Sequence, residues 1–156
     1  MEKKYLIKTE EEMINLGYKI GKLAFPSLVI TMEGDLGAGK TTMTKGIGKA
    51  LNITKVINSP TFTIMKVYDG DMMLYHMDVY RINNDSGDDY LEEYFYLDGV
   101  TVIEWADNIS SLLPKDLIEI HISIDNDFNR VVLIKTDSIN PNYLKLMEDL
   151  SLWKHY

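Results

Sequence analysis

The chain has 156 residues, 46% of them hydrophobic, and a formal net charge of −8 from 24 acidic and 16 basic residues. This length suits a single folded domain over residues 1–156, and no apolar run is long enough to span a membrane. The absence of cysteine excludes disulfide bonds, thiol catalysis and thiolate metal sites, and it fits a cytoplasmic protein. Because Arg81 and Arg130 are its only arginines, this acidic chain has little with which to hold a nucleic-acid backbone by itself.

The first predicted elements in chain order are a helix, a strand and a second helix. Thr9 and Glu12 have the S/T-x-x-E spacing of a capping box, and apolar residues follow at helical spacing as far as Pro26. The apolar run at 28–33 indicates a buried strand, and residues 42–51 are typical of a helix.

The segment between this strand and this helix is the most informative one. Residues 34–41 read Gly-Asp-Leu-Gly-Ala-Gly-Lys-Thr, which is a complete G-x-x-x-x-G-K-[ST] phosphate-binding loop, or P-loop. Its glycines let backbone N–H groups point inward at a polyphosphate, its lysine can reach the β- and γ-phosphates, and its threonine can hold Mg²⁺. The motif predicts binding of a nucleoside triphosphate. The expected contact residues are Asp35, Leu36, Gly37, Ala38, Gly39, Lys40, Thr41 and Thr42.

The rest of the chain predicts a mixed sheet. Strands at 63–68 and 72–79 form a hairpin with its turn at Asp69-Gly70. The later predicted segments are a polar connector at 83–89, a short helix at 90–96, a strand at 100–103, a short helix at 108–113, strands at 117–124 and 130–136, and a last amphipathic helix after Asn140-Pro141. We therefore expect an α/β, P-loop NTPase-like fold with three layers and a mixed, mostly parallel central sheet.

Two acidic residues at strand ends are candidates for the other half of the site. Glu104 ends an apolar strand, and Asp78 lies near the end of the strand that precedes it. Ligands of open α/β sheets bind beyond the carboxyl ends of the strands, where such acids can hold a metal or the attacking water. Thr61, in the turn at 59–62, is a third candidate because a hydroxyl there could sense the γ-phosphate. The histidines at 76, 121 and 155 show no metal-ligand spacing, so we expect them in core or surface roles.

Four segments, taken in order, resemble the TsaE (YjeE-type) family of bacterial ATPases. They are the P-loop with the next threonine at 34–42, Ser-Pro-Thr-Phe at 59–62, Tyr-His-Met-Asp-Val-Tyr-Arg at 75–81 and Ile-Glu-Trp at 103–105. The resemblance implies that the chain binds ATP and Mg²⁺, with Thr41 and Glu104 on the metal side. It also implies that Asp78, Thr61 and Glu104 serve hydrolysis.

The same resemblance implies a role in tRNA N6-threonylcarbamoyladenosine (t6A) modification at tRNA position 37. TsaB and TsaD homologues would be the partners, and the chain would meet tRNA only indirectly through them. One departure concerns a Leu-Gly-x-x-Glu-Tyr-like stretch, in which the family often has a glycine. This chain has Tyr-Leu-Glu-Glu-Tyr-Phe at 90–95 instead, which bears on local geometry and not on the nucleotide site.

Two other functional classes remain open. A P-loop small-molecule kinase commonly clamps phosphates with a lid carrying several arginines, which the two arginines of this chain fit poorly. A GTPase-like binding switch would need an Asn-Lys-x-Asp segment to recognise guanine, and the sequence has none. We therefore expect a partner-stimulated ATPase that is slow by itself and in which water attacks the γ-phosphate in line. The position of the adenine pocket does not follow from the sequence.

Overall fold

The computed structural model describes residues 1–83 and 87–152. Part of the predicted polar connector, at 84–86, lies outside these residues, as does His155. The described elements are β1 (Glu2–Ile7), α1 (Glu10–Lys22), β2 (Val29–Gly34), α2 (Lys40–Ala50), β3 (Met65–Tyr68), β4 (Leu74–Asp78), a first 3₁₀ helix (Asp89–Tyr96), β5 (Val100–Glu104), a second 3₁₀ helix (Ala106–Leu112), β6 (Ile118–Ile124), β7 (Arg130–Lys135) and α3 (Pro141–Ser151).

The strands form one seven-stranded sheet with the order β1-β7-β6-β2-β5-β4-β3. The four neighbouring strands β6, β2, β5 and β4 are parallel to one another. The edge strands are added by antiparallel pairing, β3 to β4 and β1 to β7, with β7 itself antiparallel to β6. Of the seven described strands, only β3 and β7 therefore run against the common direction, which confirms the predicted mixed, mostly parallel sheet.

Alternation along the strands divides the core into two layers, one on each face of the sheet. In β2, Ile30 faces the cluster that contains α1, α2 and α3, while Val29 faces the cluster that contains both 3₁₀ helices. Helices cover both faces because a parallel sheet exposes two apolar surfaces. This arrangement confirms the predicted three-layer α/β fold.

Helices α1 and α2 pack closely because glycines lie at their contact. A Cβ atom on Gly17 would overlap the backbone carbonyl of Met43, and a Cβ on Gly46 would overlap that of Ile14. The backbones themselves are therefore in contact, which fixes the position of α2 and hence of the P-loop that precedes it.

Most predicted elements are present, with small shifts at their ends. Thr9 caps α1 and accepts a hydrogen bond from the Glu12 N–H at 3.1 Å, and Asn140 caps α3 in the same way from Asn142. The segments at 90–96 and 108–113 fold as 3₁₀ rather than α-helix. Strand β1 was not predicted from the sequence; it is an edge strand whose partner β7 lies near the other end of the chain. Among the described residues, no helix is both long and apolar enough to cross a membrane.

Candidate nucleotide-binding site

The P-loop connects β2 to α2 and takes a conformation that requires its glycines. Gly37 has φ +81° and Gly39 has φ +121°, both in a region that side-chain-bearing residues rarely adopt. Helix α2 begins directly after Gly39, which has no side chain to cap the first turn. The N–H groups of that turn and the positive end of the helix dipole are therefore available to an anion in the loop.

Strand alternation brings the two candidate acids to the same place. Leu74 in β4 and Val102 in β5 face the layer of α2, so Asp78 and Glu104 lie on that face as well. Asp78 and Glu104 are also direct neighbours in the β4–β5 pairing, at the carboxyl ends of both strands. Both candidates thus lie beside the P-loop, as the sequence predicted from their position at strand ends.

Lys40 of the P-loop contacts Glu104 directly. The Lys40 Nζ lies 3.6 Å from the Glu104 Oε1, and the two residues are only 8% and 4% exposed. The same ammonium lies 5.2 Å from the centroid of the Trp105 ring. A cation in this position is held by a carboxylate and an aromatic face, and both interactions are strengthened by the partial exclusion of water.

Thr61 and Asp78 form a hydrogen-bonded unit at the other side of the cleft. The Thr61 hydroxyl lies 3.0 Å from the Asp78 Oδ2 and donates to it, and the Ser59 hydroxyl lies 2.6 Å from that of Thr61. The second oxygen of Asp78 accepts a 3.0 Å hydrogen bond from the backbone N–H of Tyr80. The carboxylate is therefore oriented from both sides.

One cleft of about 560 Å³ collects nearly all of the predicted site residues. Its lining includes Asp35, Leu36, Gly37, Gly39, Lys40, Thr41, Thr42, Thr61, Asp78 and Glu104. Ala38 is the exception, because it is fully buried and lines the second cleft described below. The cleft also contains Tyr80 and Trp105, whose ring centroids are 4.9 Å apart. Tyr80 was not predicted as a site residue, although its position two residues after Asp78 indicated the same strand end.

A second cleft, of about 330 Å³, lies across the P-loop from the first. It shares Gly37, Gly39 and Thr42 with the first cleft and adds Phe128 from the β6–β7 turn and Arg130 from the start of β7. Phe128 is 82% exposed, which leaves a ring face free to contact a flat ligand. No sequence motif marked this cleft, because it is assembled from the β1–α1 turn, the P-loop and a turn about 90 residues further along.

The two arginines occupy different surroundings. Arg130 donates from Nε to the carbonyl of Ala38 at 3.2 Å and from a terminal nitrogen to that of Gly37 at 3.3 Å, so it braces the P-loop. The Arg81 guanidinium stacks over the ring of Phe62 at 5.1 Å. Among the described residues that line the first cleft, none is an arginine.

Glu33, at the end of β2 next to the P-loop, has a perturbed acidity. Partial burial and the neighbouring Asp107 carboxyl, which shares a hydrogen bond with it, raise the pKa of Glu33 above its ordinary value. His121, with Nδ1 3.2 Å from Glu33 Oε2, acts in the opposite direction but does not outweigh them.

The donor set of the first cleft fits Mg²⁺. This ion prefers oxygen ligands, keeps several waters and is usually bound by one or two protein oxygens together with substrate phosphates. Thr41 and Glu104 supply a hydroxyl and a carboxylate at the phosphate-binding loop. The described residues contain no group of three or more His, Cys, Asp or Glu side chains that could hold a metal by themselves. The site therefore suits a metal that arrives with a nucleotide.

Comparison with known proteins agrees with this geometry. The model of the family described as "Threonylcarbamoyl adenosine biosynthesis protein TsaE" matches residues 7–132. The chain belongs to the TsaE family. It is 48% identical over 129 residues to the tRNA threonylcarbamoyladenosine biosynthesis protein TsaE of Bacillus subtilis (strain 168), covering 82% of this chain and 80% of that protein.

Other relatives extend the similarity. A TsaE of Treponema pallidum (strain Nichols) is 37% identical over 129 residues, covering 81% of this chain and 96% of its own. The crystal structure of Bacillus subtilis YdiB superposes with a TM-score of 0.84 at 39% identity and covers 97% of this chain and 95% of that one.

The stretch at 90–95, where this TsaE-family chain lacks the glycine that the resemblance led us to expect, falls in the first 3₁₀ helix. Leu91 and Phe95 of that helix are buried in the cluster on the sheet face opposite α2.

Proposed function

We propose that this chain is an ATP-binding and ATP-hydrolysing subunit required for t6A modification of tRNA. It would act on the complex of TsaB and TsaD homologues with low activity of its own. The observation that carries the proposal is the convergence of Lys40, Glu104, Asp78 and Thr61 around a P-loop in one cleft. The names of the relatives, which refer to tRNA threonylcarbamoyladenosine biosynthesis, support the pathway. That role would place the chain in the cytoplasm, as we expect from its sequence.

The P-loop residues would bind the phosphates of ATP. The N–H groups at the start of α2 and the Lys40 ammonium would face the phosphate oxygens, and Lys40 would exchange its contact with Glu104 for the γ-phosphate. Thr41 and Glu104 would hold Mg²⁺, which supplies charge neutralisation of the phosphates when it is bound. The exchange costs little because Lys40 and Glu104 each gain a new partner of opposite charge.

Asp78 and Thr61 would position the attacking water. Asp78 is held by Thr61 on one oxygen and by the Tyr80 N–H on the other, so its orientation is fixed before substrate arrives. Because the Thr61 hydroxyl donates its one hydrogen to Asp78, it can accept a hydrogen bond from the water. Hydrolysis would then proceed by in-line attack on the γ-phosphate, and Lys40 would spread the developing charge.

The second cleft would receive the nucleoside. It opens on the side of the P-loop opposite Asp78 and Thr61, and it offers the exposed ring of Phe128. A triphosphate lying along the loop would therefore direct its γ-phosphate toward the acids and its base toward the β6–β7 turn. The second cleft would then be the adenine pocket, whose position the sequence does not give.

The positions of the two arginines favour dependence on a partner protein. Arginines commonly stabilise the transition-state charge of phosphoryl transfer, in cis or from a partner protein. Arg130 is engaged with the P-loop carbonyls and Arg81 with Phe62, and no arginine lines the first cleft among its described residues. A slow intrinsic rate that a TsaB–TsaD pair raises is the expected consequence.

The alternatives make different predictions for the purified chain. Equilibrium titration should show that ATP binds and that GTP competes weakly, and Lys40→Ala should weaken ATP binding by at least about 10-fold. Equal competition by GTP would favour a binding switch. Release of ADP that depends on a metabolite acceptor would favour a small-molecule kinase. Absence of ATP binding by the wild-type chain would refute the proposal.

A further inference from the structure

His76 is a buried histidine whose side chain contacts Glu104, a residue of the nucleotide cleft. It lies in β4 between Leu74 and Asp78 on the same face of the strand, and its side chain is fully buried. Its Nε2 lies 2.8 Å from the Oε2 of Glu104. Because an ionised carboxylate can only accept, the imidazole N–H on Nε2 donates to Glu104.

This hydrogen bond divides the roles of the two Glu104 oxygens. Oε2 is engaged by His76 on the side of the core, whereas Oε1 lies 3.6 Å from the Lys40 Nζ on the side of the cleft. The carboxylate therefore presents Oε1, and not Oε2, to a cation in the cleft. Rotation about the terminal torsion of Glu104 would break the bond to His76, so the orientation is held.

A purely structural role does not explain an imidazole at this position. Two of the neighbouring strand positions on the same face, Leu74 in β4 and Val102 in β5, are apolar and fully buried. The His76 Nδ1 is buried without a hydrogen-bond partner among the described residues. Burial of an unsatisfied polar atom is unfavourable, so an apolar side chain would serve packing better. The bond to Glu104 is what the imidazole contributes.

We infer that His76 is a positioning residue for the metal-side carboxylate. It holds Glu104 through Oε2 and so directs Oε1 at the Mg²⁺ that accompanies ATP. This inference rests on the proposed function, since it assigns His76 to the same site. Partners that orient a metal-binding side chain typically change metal affinity by about 10- to 100-fold when they are removed.

The test measures how much Mg²⁺ tightens ATP binding to the full chain. We call this increase in ATP affinity the gain: it is the ATP dissociation constant in EDTA divided by that in Mg²⁺, both measured by calorimetric titration. Electron paramagnetic resonance of bound Mn²⁺ gives a direct readout of the metal. His76→Phe keeps a ring of similar size without the donor, and we expect it to reduce the gain by about 10-fold or more. ATP affinity in EDTA and the thermal midpoint should stay close to wild type.

His76→Gln is the matched control, because its amide nitrogen can reach the position of Nε2. We expect it to restore the gain to within about 3-fold of wild type. In a Glu104→Gln background, His76→Phe should have no further effect on the gain, because the two residues act as one unit. If His76→Phe does not fold, His76→Asn replaces it, since the shorter amide cannot reach Glu104.

Three results would overturn the inference. The first is a gain in His76→Phe equal to that of wild type, and the second is a gain in His76→Gln no larger than in His76→Phe. The third is an equal loss of ATP affinity by His76→Phe in EDTA and in Mg²⁺. The last result would mean that the histidine only supports packing. In all three the wild-type chain still binds ATP, so the proposed function stands. A wild-type chain that binds no ATP would overturn both.

Discussion

Replacing Gly46 by alanine tests whether the contact between α1 and α2 controls the position of the P-loop helix. In a helix, Gly→Ala normally stabilises by about 1 kcal/mol, because alanine has the higher helix propensity. At Gly46, however, the new Cβ would overlap the backbone carbonyl of Ile14 in α1. A backbone atom cannot move aside by changing rotamer, so the helices would have to separate.

The expected change in unfolding free energy is the difference between the cost of this overlap and the gain in helix propensity. Overpacking of a core contact costs roughly 1–3 kcal/mol, and a backbone neighbour favours the upper part of that range. After the gain in propensity, we expect Gly46→Ala to lower the free energy of unfolding by about 1–2 kcal/mol, or the thermal midpoint by roughly 3–6 °C. Thermal denaturation followed by circular dichroism, without nucleotide, measures this directly.

Gly48→Ala in the same helix is the control. Its Cβ would meet first the Cδ1 atom of Ile57, at the end of a flexible side chain, and the next atom lies 3.5 Å away. Displacement of that methyl group offsets the gain in propensity, so we expect a change in unfolding free energy within about 0.5 kcal/mol. A stabilised Gly46→Ala variant, or equal losses in both variants, would refute the packing argument.

Three further predictions concern the site. Thr61→Val removes the hydroxyl that is hydrogen-bonded to Asp78, and we expect partner-stimulated ATP turnover to fall by roughly 10²-fold while ATP affinity changes little. Arg130→Ala removes the brace on the P-loop carbonyls and should weaken ATP binding by about 10-fold, and Arg130→Lys should not restore it because a single ammonium cannot reproduce both contacts. For Glu33, burial and then Asp107 raise the pKa in the folded state, so ionisation destabilises the fold as pH rises above the ordinary carboxyl range of about 4. Glu33→Gln should therefore raise the thermal midpoint at pH 7 and leave it unchanged below about pH 4.

Each of these has a control or a contradicting outcome. Ser59→Ala keeps the bond between Thr61 and Asp78 and should reduce turnover less than Thr61→Val. Equal ATP affinity in Arg130→Ala and wild type would show that the brace is not needed for binding. A Glu33→Gln variant that is less stable than wild type at pH 7 but not at pH 4 would show that the contact with His121 outweighs burial.

The sequence predicted the elements that depend on local patterns. The P-loop, the buried strand before it and the helix after it follow from a motif with a physical requirement at each position. Asp78 and Glu104 could be chosen because parallel strands end at a common edge, and the β4–β5 register places them side by side there. Their roles in metal binding and hydrolysis remain predictions.

Features that depend on long-range assembly could not be predicted. Strand β1 has only one fully buried residue, Ile7, and gains its pairing from β7, so its own pattern is weak. The second cleft combines distant turns through Phe128 and Arg130, neither of which belongs to a motif. His76 was expected in a core or surface role. Its bond to Glu104 could not be predicted, because that bond depends on which strands are neighbours. Such contacts are set by topology and register and not by spacing along the chain.

ATP hydrolysis by this chain, measured with and without a TsaB–TsaD pair, tests the central claim most directly. Lys40→Ala, in the presence of the pair, is the matched control for hydrolysis from any other source. We predict a slow rate for the chain alone, a rise of at least about 10-fold when the pair is added, and no rise for Lys40→Ala. A rate that the partners leave unchanged, or a full rise in Lys40→Ala, would contradict the account.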